Sequence, residues 1–137
     1  MTSAVSIKLP WPPSINGAWY RGVKGRLTKK GRAFRDQVIE LTRQRNSEEA
    51  LIDAPIRLDL YFFPPDRRIR DNSNHTKVLY DALTKSGFWA DDSLVKSETY
   101  HTGEVVAKGC LILYCEPINF EPWKYDDVAL AHGITGE

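Results

Sequence analysis

The sequence predicts a small α+β protein, one domain with the element order β-α-β-α-β-β and a mixed sheet packed with two helices. Three observations carry that prediction. The stretches S-I-K-L-P and I-R-L-D-L-Y-F-F place apolar residues at every second position, the period of a half-buried strand. Two longer stretches repeat apolar residues every three or four positions, the period of a helix. The chain of 137 residues is 42% hydrophobic and 27% charged, with no internal repeat, low-complexity tract or convincing linker, which leaves room for a single core.

The first strand covers residues 6–10 and is stopped by Pro10, Pro12 and Pro13. The glycine- and cation-rich segment from Ser14 to Leu27 then suggests a mobile loop or ribbon. A helix starts at Thr28, a good N-cap, because Phe34, Val38 and Leu41 recur at i, i+4 and i+7 through about Arg45. The second strand, residues 56–63, turns Ile56, Leu58, Leu60 and Phe62 to one face and ends at Pro64 and Pro65. A second helix runs from about Asn72 to Ser86, with Val78, Leu79, Ala82 and Leu83 as its buried stripe and Gly87 as its stop. Two more strands follow, around Leu94–His101 and Val105–Cys115, joined by an H-T-G-E turn. Residues from about 117 to 137 form a tail of weak periodicity, with a short helix near Tyr125–Ala131. The aromatic-rich loop Trp11 to Tyr20 is expected to pack in the core, since tryptophans bury large areas.

No apolar run approaches the ~20 residues that span a bilayer, and the N-terminus lacks a signal peptide's apolar region, so a cytoplasmic location is expected. Cys110 and Cys115 fall five apart in one strand and therefore on opposite faces, as reduced thiols and not a bridge or zinc site.

The net charge of +1 conceals an uneven distribution. Arg21, Lys24, Arg26, Lys29, Lys30, Arg32 and Arg35 follow one another with no acid between them, and Arg67, Arg68 and Arg70 form a second cluster. Phosphate binding is one reading of such clusters and a solvated basic face the other. Acids concentrate at Asp91 and Asp92 and in the tail. Asn74, Lys77 and Asp81 share the helix face opposite the apolar stripe, and Asp71 sits just ahead of the first turn. Singly, Asp71 reads as an N-cap and the Asp91–Asp92 pair as a turn. Together, acids at two points flanked by Arg and Lys suit phosphodiester hydrolysis, in which carboxylates hold Mg²⁺ and cations bind phosphates. Two unmetallated carboxylates ~5 Å apart repel by about 3 kcal/mol at an effective dielectric of 20, so such a cluster favours a cation.

The stretch P-D-R-R-I-R-D-N-S-N-H-T-K-V-L-Y-D-A-L-T-K-S-G-F-W-A-D-D, Pro65 to Asp92, resembles the central region of the RusA family of Holliday junction resolvases of bacteria and their prophages. L-P-W-P-P-S-I-N, Leu9 to Asn16, resembles the family's opening motif, and the spacing of elements agrees through about Glu116. The resemblance implies Mg²⁺-dependent, symmetric cutting of four-way DNA junctions by a homodimer in recombination and repair, with Mn²⁺ able to substitute and no small-molecule substrate. It places Asp71 and Asp92 on catalytic, metal-binding aspartates, Asp91 on the adjacent acidic position and Lys77 on the catalytic lysine. Asn74 matches the motif asparagine and joins Lys24, Arg26, Arg67, Arg68 and Arg70 as an expected DNA contact. One position departs: the family reads D-x-D-N, whereas this chain reads D-N-S-N, with Ser73 in place of the second aspartate. A hydroxyl gives a metal far less than a carboxylate does. Two readings therefore stand beside full activity, an impaired nuclease and a branched-DNA-binding protein that never cuts. A generic basic domain contacting RNA or protein is a third, and it leaves the paired acids without purpose.

The second helix carries the chain roughly 21 Å from Asp71, and six residues from Ser86 to Asp92 span about 20 Å when extended. Asp92 either returns along its own helix or meets Asp71 of a second copy across a two-fold axis, with Phe88 and Trp89 buried near the dimer contact.

Overall fold

The computed structural model describes residues 3–21 and 25–135, so Lys24 lies outside the described residues. The elements are β1 (Val5–Pro10), α1 (Ile15–Ala18), α2 (Lys29–Glu48), β2 (Ile56–Phe63), α3 (Ser73–Ser86), a 3-10 turn (Asp92–Leu94), β3 (Val95–Thr102), β4 (Cys110–Pro117) and α4 (Tyr125–Ala131). The six predicted elements are all present, as is the short helix expected near Tyr125–Ala131, and α1 and the 3-10 turn are added.

The four strands form one mixed sheet in the order β1-β4-β2-β3. β4 lies antiparallel to both β1 and β2, whereas β3 lies parallel to β2 at the edge. β3 and β4 are therefore not neighbours. The expected H-T-G-E turn is a longer connection that crosses the end of β2, and β4 starts at Cys110 instead of Val105. Its path is fixed by Val106 N–H donating to Pro64 O (2.9 Å) and by left-handed backbone at Lys108 and Gly109, both with φ of 69°. A Cβ on Gly109 would stand 2.9 Å from Pro65 Cδ, so glycine is required there on two counts.

The period of two does its work in β2, where Ile56, Leu58, Leu60 and Phe62 are buried and Tyr61 is exposed. Leu111, Leu113 and Cys115 extend the same apolar face along β4. Phe34 and Val38 of α2 and Val78, Leu79, Ala82 and Leu83 of α3 complete a single core. Both cysteines are buried and free, and the Cys115 thiol is pushed up to about 11 by burial, which suppresses its nucleophilic form. On the opposite face of the sheet, Arg57 bridges Glu116 (2.6 Å) and Asp59 (2.6 Å), and Asp59 also meets His101 (3.0 Å).

Thr28 caps α2 as its sequence predicts, its Oγ1 accepting from Gly31 N–H at 3.1 Å. The Ser14–Leu27 segment is more ordered than a mobile loop where it is described. Ser14 caps α1, and Trp19 bridges Leu27 as a short antiparallel ribbon. A Cβ at Gly31 would meet Ala18 O at 2.4 Å, so the close approach of α1 to α2 depends on that glycine. Trp11 and Trp19 pack against the core, as expected of them, while Tyr20 is exposed beneath Arg26, 5.0 Å from its ring centroid.

α3 ends at Gly87, whose φ of 83° closes the helix with bonds to Leu83 O and Thr84 O. Phe88 and Trp89 then turn into the chain's own core, each 0% exposed. Both are buried, as expected of them. Trp89 donates its indole N–H to Thr84 Oγ1 (2.8 Å) and meets the Tyr80 ring edge-on at 5.3 Å. Trp89→Ala is expected to destabilise the fold by about 3–5 kcal/mol in chemical denaturation, because the cavity cannot collapse beneath α3. A loss below about 1 kcal/mol would mean that the site repacks.

Candidate active site

The spacing of α3 and β3 builds the candidate site. Four residues of helix rise about 6.0 Å and two residues of strand about 6.6 Å, so polar positions at i, i+4 and i+8 of a helix can match i, i+2 and i+4 of an adjacent strand. Three such rungs are present, with the strand running opposite to the helix. Asn72 Nδ2 donates to Thr102 Oγ1 (3.1 Å), Thr76, whose hydroxyl donates to Asn72 O (3.1 Å), lies near enough to Tyr100 to ease its ionisation, and the Tyr80 hydroxyl donates to Glu98 Oε2. Tyr100 also donates to Glu98, at Oε1 (3.0 Å). Asp71 stands at the first rung, near enough to Tyr100 to raise the cost of ionising it. Asp92 stands at the last, in an open cleft with Tyr80 and Glu98. Eight residues of helix, a rise of about 12 Å, separate the rung beside Asp71 from the rung beside Asp92.

Each predicted acidic turn does local work as well. Asp71 Oδ1 accepts from Ser73 N–H (3.0 Å) and from Ser73 Oγ–H (2.7 Å), and these bonds hold its carboxyl below the usual carboxylate range. Asp91 caps the 3-10 turn by accepting from Ser93 N–H (3.0 Å), and its carboxyl is lowered for the same reason. Both acids therefore stay anionic through the mildly acidic range, each with one oxygen not engaged by its turn. Lys77 pairs with Asp81 (3.6 Å), one turn further along α3. Burial raises the Asp81 carboxyl despite that lysine, and the charge of Asp92 adds to the effect.

Asp71 opens onto a cleft of about 420 Å³ that also takes in Lys30, Arg68, Arg70, Asn74, Trp11 and His75. The two basic clusters of the sequence therefore meet at one acid. His75 is buried, its Nδ1 2.9 Å from Pro12 O and its ring 5.0 Å from Trp11, so the opening P-W-P-P stretch is fastened to the first turn of α3. Arg67 and Arg68 are exposed. Arg70 differs: its guanidinium bonds Asp66 at 2.7 Å and lies 5.7 Å from the Trp11 ring centroid, and its side chain is 13% exposed. Arg70 shapes the loop more than it offers a free charge. Arg26 belongs to the ribbon ahead of α2, and Lys24 lies outside the described residues.

Sequence reasoning missed Tyr80, Glu98, Tyr100 and the part played by Lys30. Positions 72, 76 and 80 form a polar and aromatic stripe beside the apolar one, which was a usable signal for the helix half. The strand half gave none, because β3 is an edge strand with exposed residues of both parities.

No three His, Cys, Asp or Glu side chains among the described residues converge to hold a metal ion. The donor set nonetheless fits Mg²⁺, which keeps several waters and is commonly held by one or two carboxylates together with substrate phosphates. Asp71 supplies such a carboxylate beside cations that can hold the phosphates.

Comparison with known proteins identifies the family. The sequence model of the endodeoxyribonuclease RusA family matches residues 10–108. The crossover junction endodeoxyribonuclease RusA of Escherichia coli K12 is 42% identical over 92 residues, covering 66% of this chain and 75% of that protein, and the protein of the same name from Shigella sonnei matches to the same extent. The crossover junction endodeoxyribonuclease of Enterobacteria phage 82 is 42% identical over 91 residues, covering 65% of this chain and 74% of its own. The matched span contains α1 to β3, the cleft and both acidic turns, and the chain belongs to the RusA endodeoxyribonuclease family.

Proposed function

We propose that this protein is a structure-selective endodeoxyribonuclease that resolves four-way DNA junctions as a homodimer in the cytoplasm of a bacterial or phage-infected cell. The observation that carries the reading is the placement of Asp71 in a cleft with Lys30, Arg68 and Asn74, within a family whose relatives carry the name crossover junction endodeoxyribonuclease. Mg²⁺, with Mn²⁺ able to substitute, is the cofactor, and Asp71 and Asp92 with the neighbouring Asp91 would hold it. When bound, the ion neutralises charge on the scissile phosphate and lowers the pKa of a bound water. The rest falls to the chain. Arg26, Arg67, Arg68 and Lys30 bind flanking phosphates, Asn74 offers an amide beside Asp71, and Lys77, freed from Asp81, offers a cation to the developing oxyanion. All of these are contacts to backbone, which suits recognition of branched shape over base sequence.

The rise of about 12 Å between the rung beside Asp71 and the rung beside Asp92 exceeds what a pair of ions ~4 Å apart bridges, which supports sites that draw one aspartate from each subunit. The test uses a synthetic four-way junction and heterodimers of Asp71→Asn with Asp92→Asn chains, both carrying Ser73→Asp. A shared site leaves one wild-type pair of aspartates per mixed dimer, and nicking of the junction is expected. Uncut junction would place both aspartates of a site on one chain. Wild-type-like cutting by either homodimeric single variant would remove that aspartate from the reaction.

A second reading, a junction-binding protein that does not cut, is favoured by one observation. Ser73 lacks the motif charge and also donates its hydroxyl to an Asp71 oxygen that a metal would otherwise use. A junction bound tightly by the wild-type chain but left intact at saturating Mg²⁺ and Mn²⁺ would establish it.

A further inference from the structure

We propose that Glu98 is a positioning residue that locks the two acidic turns of each chain in register through a Tyr80–Glu98–Tyr100 bridge, so that each turn presents its aspartate correctly to the site it serves; the inference rests on the catalytic reading of Asp71 and Asp92. Glu98 lies on the exposed edge strand, yet both of its carboxylate oxygens are engaged, one by each tyrosine. Those tyrosines lead in opposite directions. The Tyr80 ring meets Trp89 edge-on, and Trp89 stands two residues before Asp91, fixed in turn by Thr84. The Tyr100 ring packs edge-on against Phe62 at 5.6 Å, and its hydroxyl adjoins Thr76, in the first turns of the helix that Asp71 opens. One side chain thus joins the start of α3 to the turn that carries Asp91 and Asp92.

The bridge lies between the acidic turns and ties α3 to β3 through side chains. Without the carboxylate, the part-buried Tyr80 hydroxyl loses its acceptor, which is costly, and the exposed Tyr100 hydroxyl is released to water. The seam then relaxes by rotation or sliding of α3 over β3, which moves Asp71 relative to Asp92 without removing either. Removal of groups that orient metal ligands typically weakens metal affinity about 10- to 100-fold, and Glu98 acts at one further remove, so an effect of about 10-fold is expected.

The experiment compares the full-length wild-type chain with Glu98→Ala, Glu98→Gln and Tyr80→Phe. Mn²⁺ binding is measured by electron paramagnetic resonance, and junction affinity is measured without metal. The Mg²⁺ concentration for half-maximal cutting and the maximal rate are determined in a Ser73→Asp background. Glu98→Ala is expected to weaken Mn²⁺ binding and raise the half-maximal Mg²⁺ about 10-fold, with the maximal rate at saturating Mg²⁺ and metal-free junction affinity nearly unchanged. Tyr80→Phe should give part of that shift. Glu98→Gln should recover most of it, because its amide oxygen still accepts from a tyrosine. Wild-type Mn²⁺ and Mg²⁺ dependence in Glu98→Ala would overturn the inference. So would a Glu98→Gln variant as impaired as Glu98→Ala, since that would mark a metal ligand instead of a strut. Failure of the underlying catalytic reading shows separately, as full cutting by Asp71→Asn or Asp92→Asn.

Discussion

Ser73→Asp is expected to raise Mg²⁺-supported junction cleavage at least about 100-fold, a charged metal ligand being worth several kcal/mol at the transition state. Two changes act together. The substitution restores the charge that the family motif places there, and it removes the hydroxyl that occupies Asp71 Oδ1 at 2.7 Å. In the absence of metal the new carboxylate faces Asp71 across about 5 Å, a repulsion of about 3 kcal/mol at an effective dielectric of 20. The variant should therefore melt at lower temperature than the wild type without metal and recover more when Mg²⁺ is added. Junction binding without metal should stay similar or weaken slightly, since a negative charge has been added near phosphates. A wild-type chain that is already fast, and gains nothing from the substitution, would assign the missing role to Asp91.

Junction affinity should fall steeply with salt. Arg26, Lys30, Arg67 and Arg68 make four phosphate-binding cations per subunit and eight per dimer, giving a slope of about −7.2 in log affinity against log salt and a loss of about 20,000-fold between about 50 and 200 mM. Replacing Arg67 and Arg68 together by glutamine removes four cations from the dimer and should flatten the slope by about 3.6 and weaken binding to all junction sequences alike. Arg70→Gln provides the contrast. Because Arg70 is committed to Asp66 and stacked near Trp11, its loss should lower thermal stability more than it alters the slope. An affinity that does not respond to salt over this range would refute the phosphate-binding role of both basic clusters.

Most of the fold was legible because local rules suffice for it. Thr28, Gly87 and the alternation of Ile56 to Phe62 each announce an element boundary or face through chemistry confined to a few residues. Sheet order was not legible, because β3 and β4 are joined by a short polar segment that looks like a hairpin and instead crosses β2. Nothing local distinguishes the two; the choice is made by β2, whose buried face needs a strand on each side. The site shows the same division. Asp71, Asn74 and Lys77 were visible from helix spacing and motif, and the structure does gather Asp71 and Asn74 with Arg68 in one cleft. Lys30 enters that cleft from an element more than forty residues away, which only the packing of α2 near α3 reveals. Glu98 was invisible because an acid on an edge strand normally serves solubility, and its two tyrosine partners come from different elements.

The placement of β4 between β1 and β2 has a consequence for how the molecule is made. β1 and β2 are synthesised first, yet they do not pair with each other, and each waits for the strand that separates them. Until residues 110–117 leave the ribosome, the apolar faces of Leu9 and of Ile56 to Phe62 have no sheet to complete, and only α2, α3 and β3 can shelter them. Such late, long-range closure slows folding and leaves the nascent chain open to misassociation. A chain ending before β4 would keep Asp71, Asp91, Asp92 and both basic clusters in sequence and still lack the strand that turns two separate strips into a single sheet.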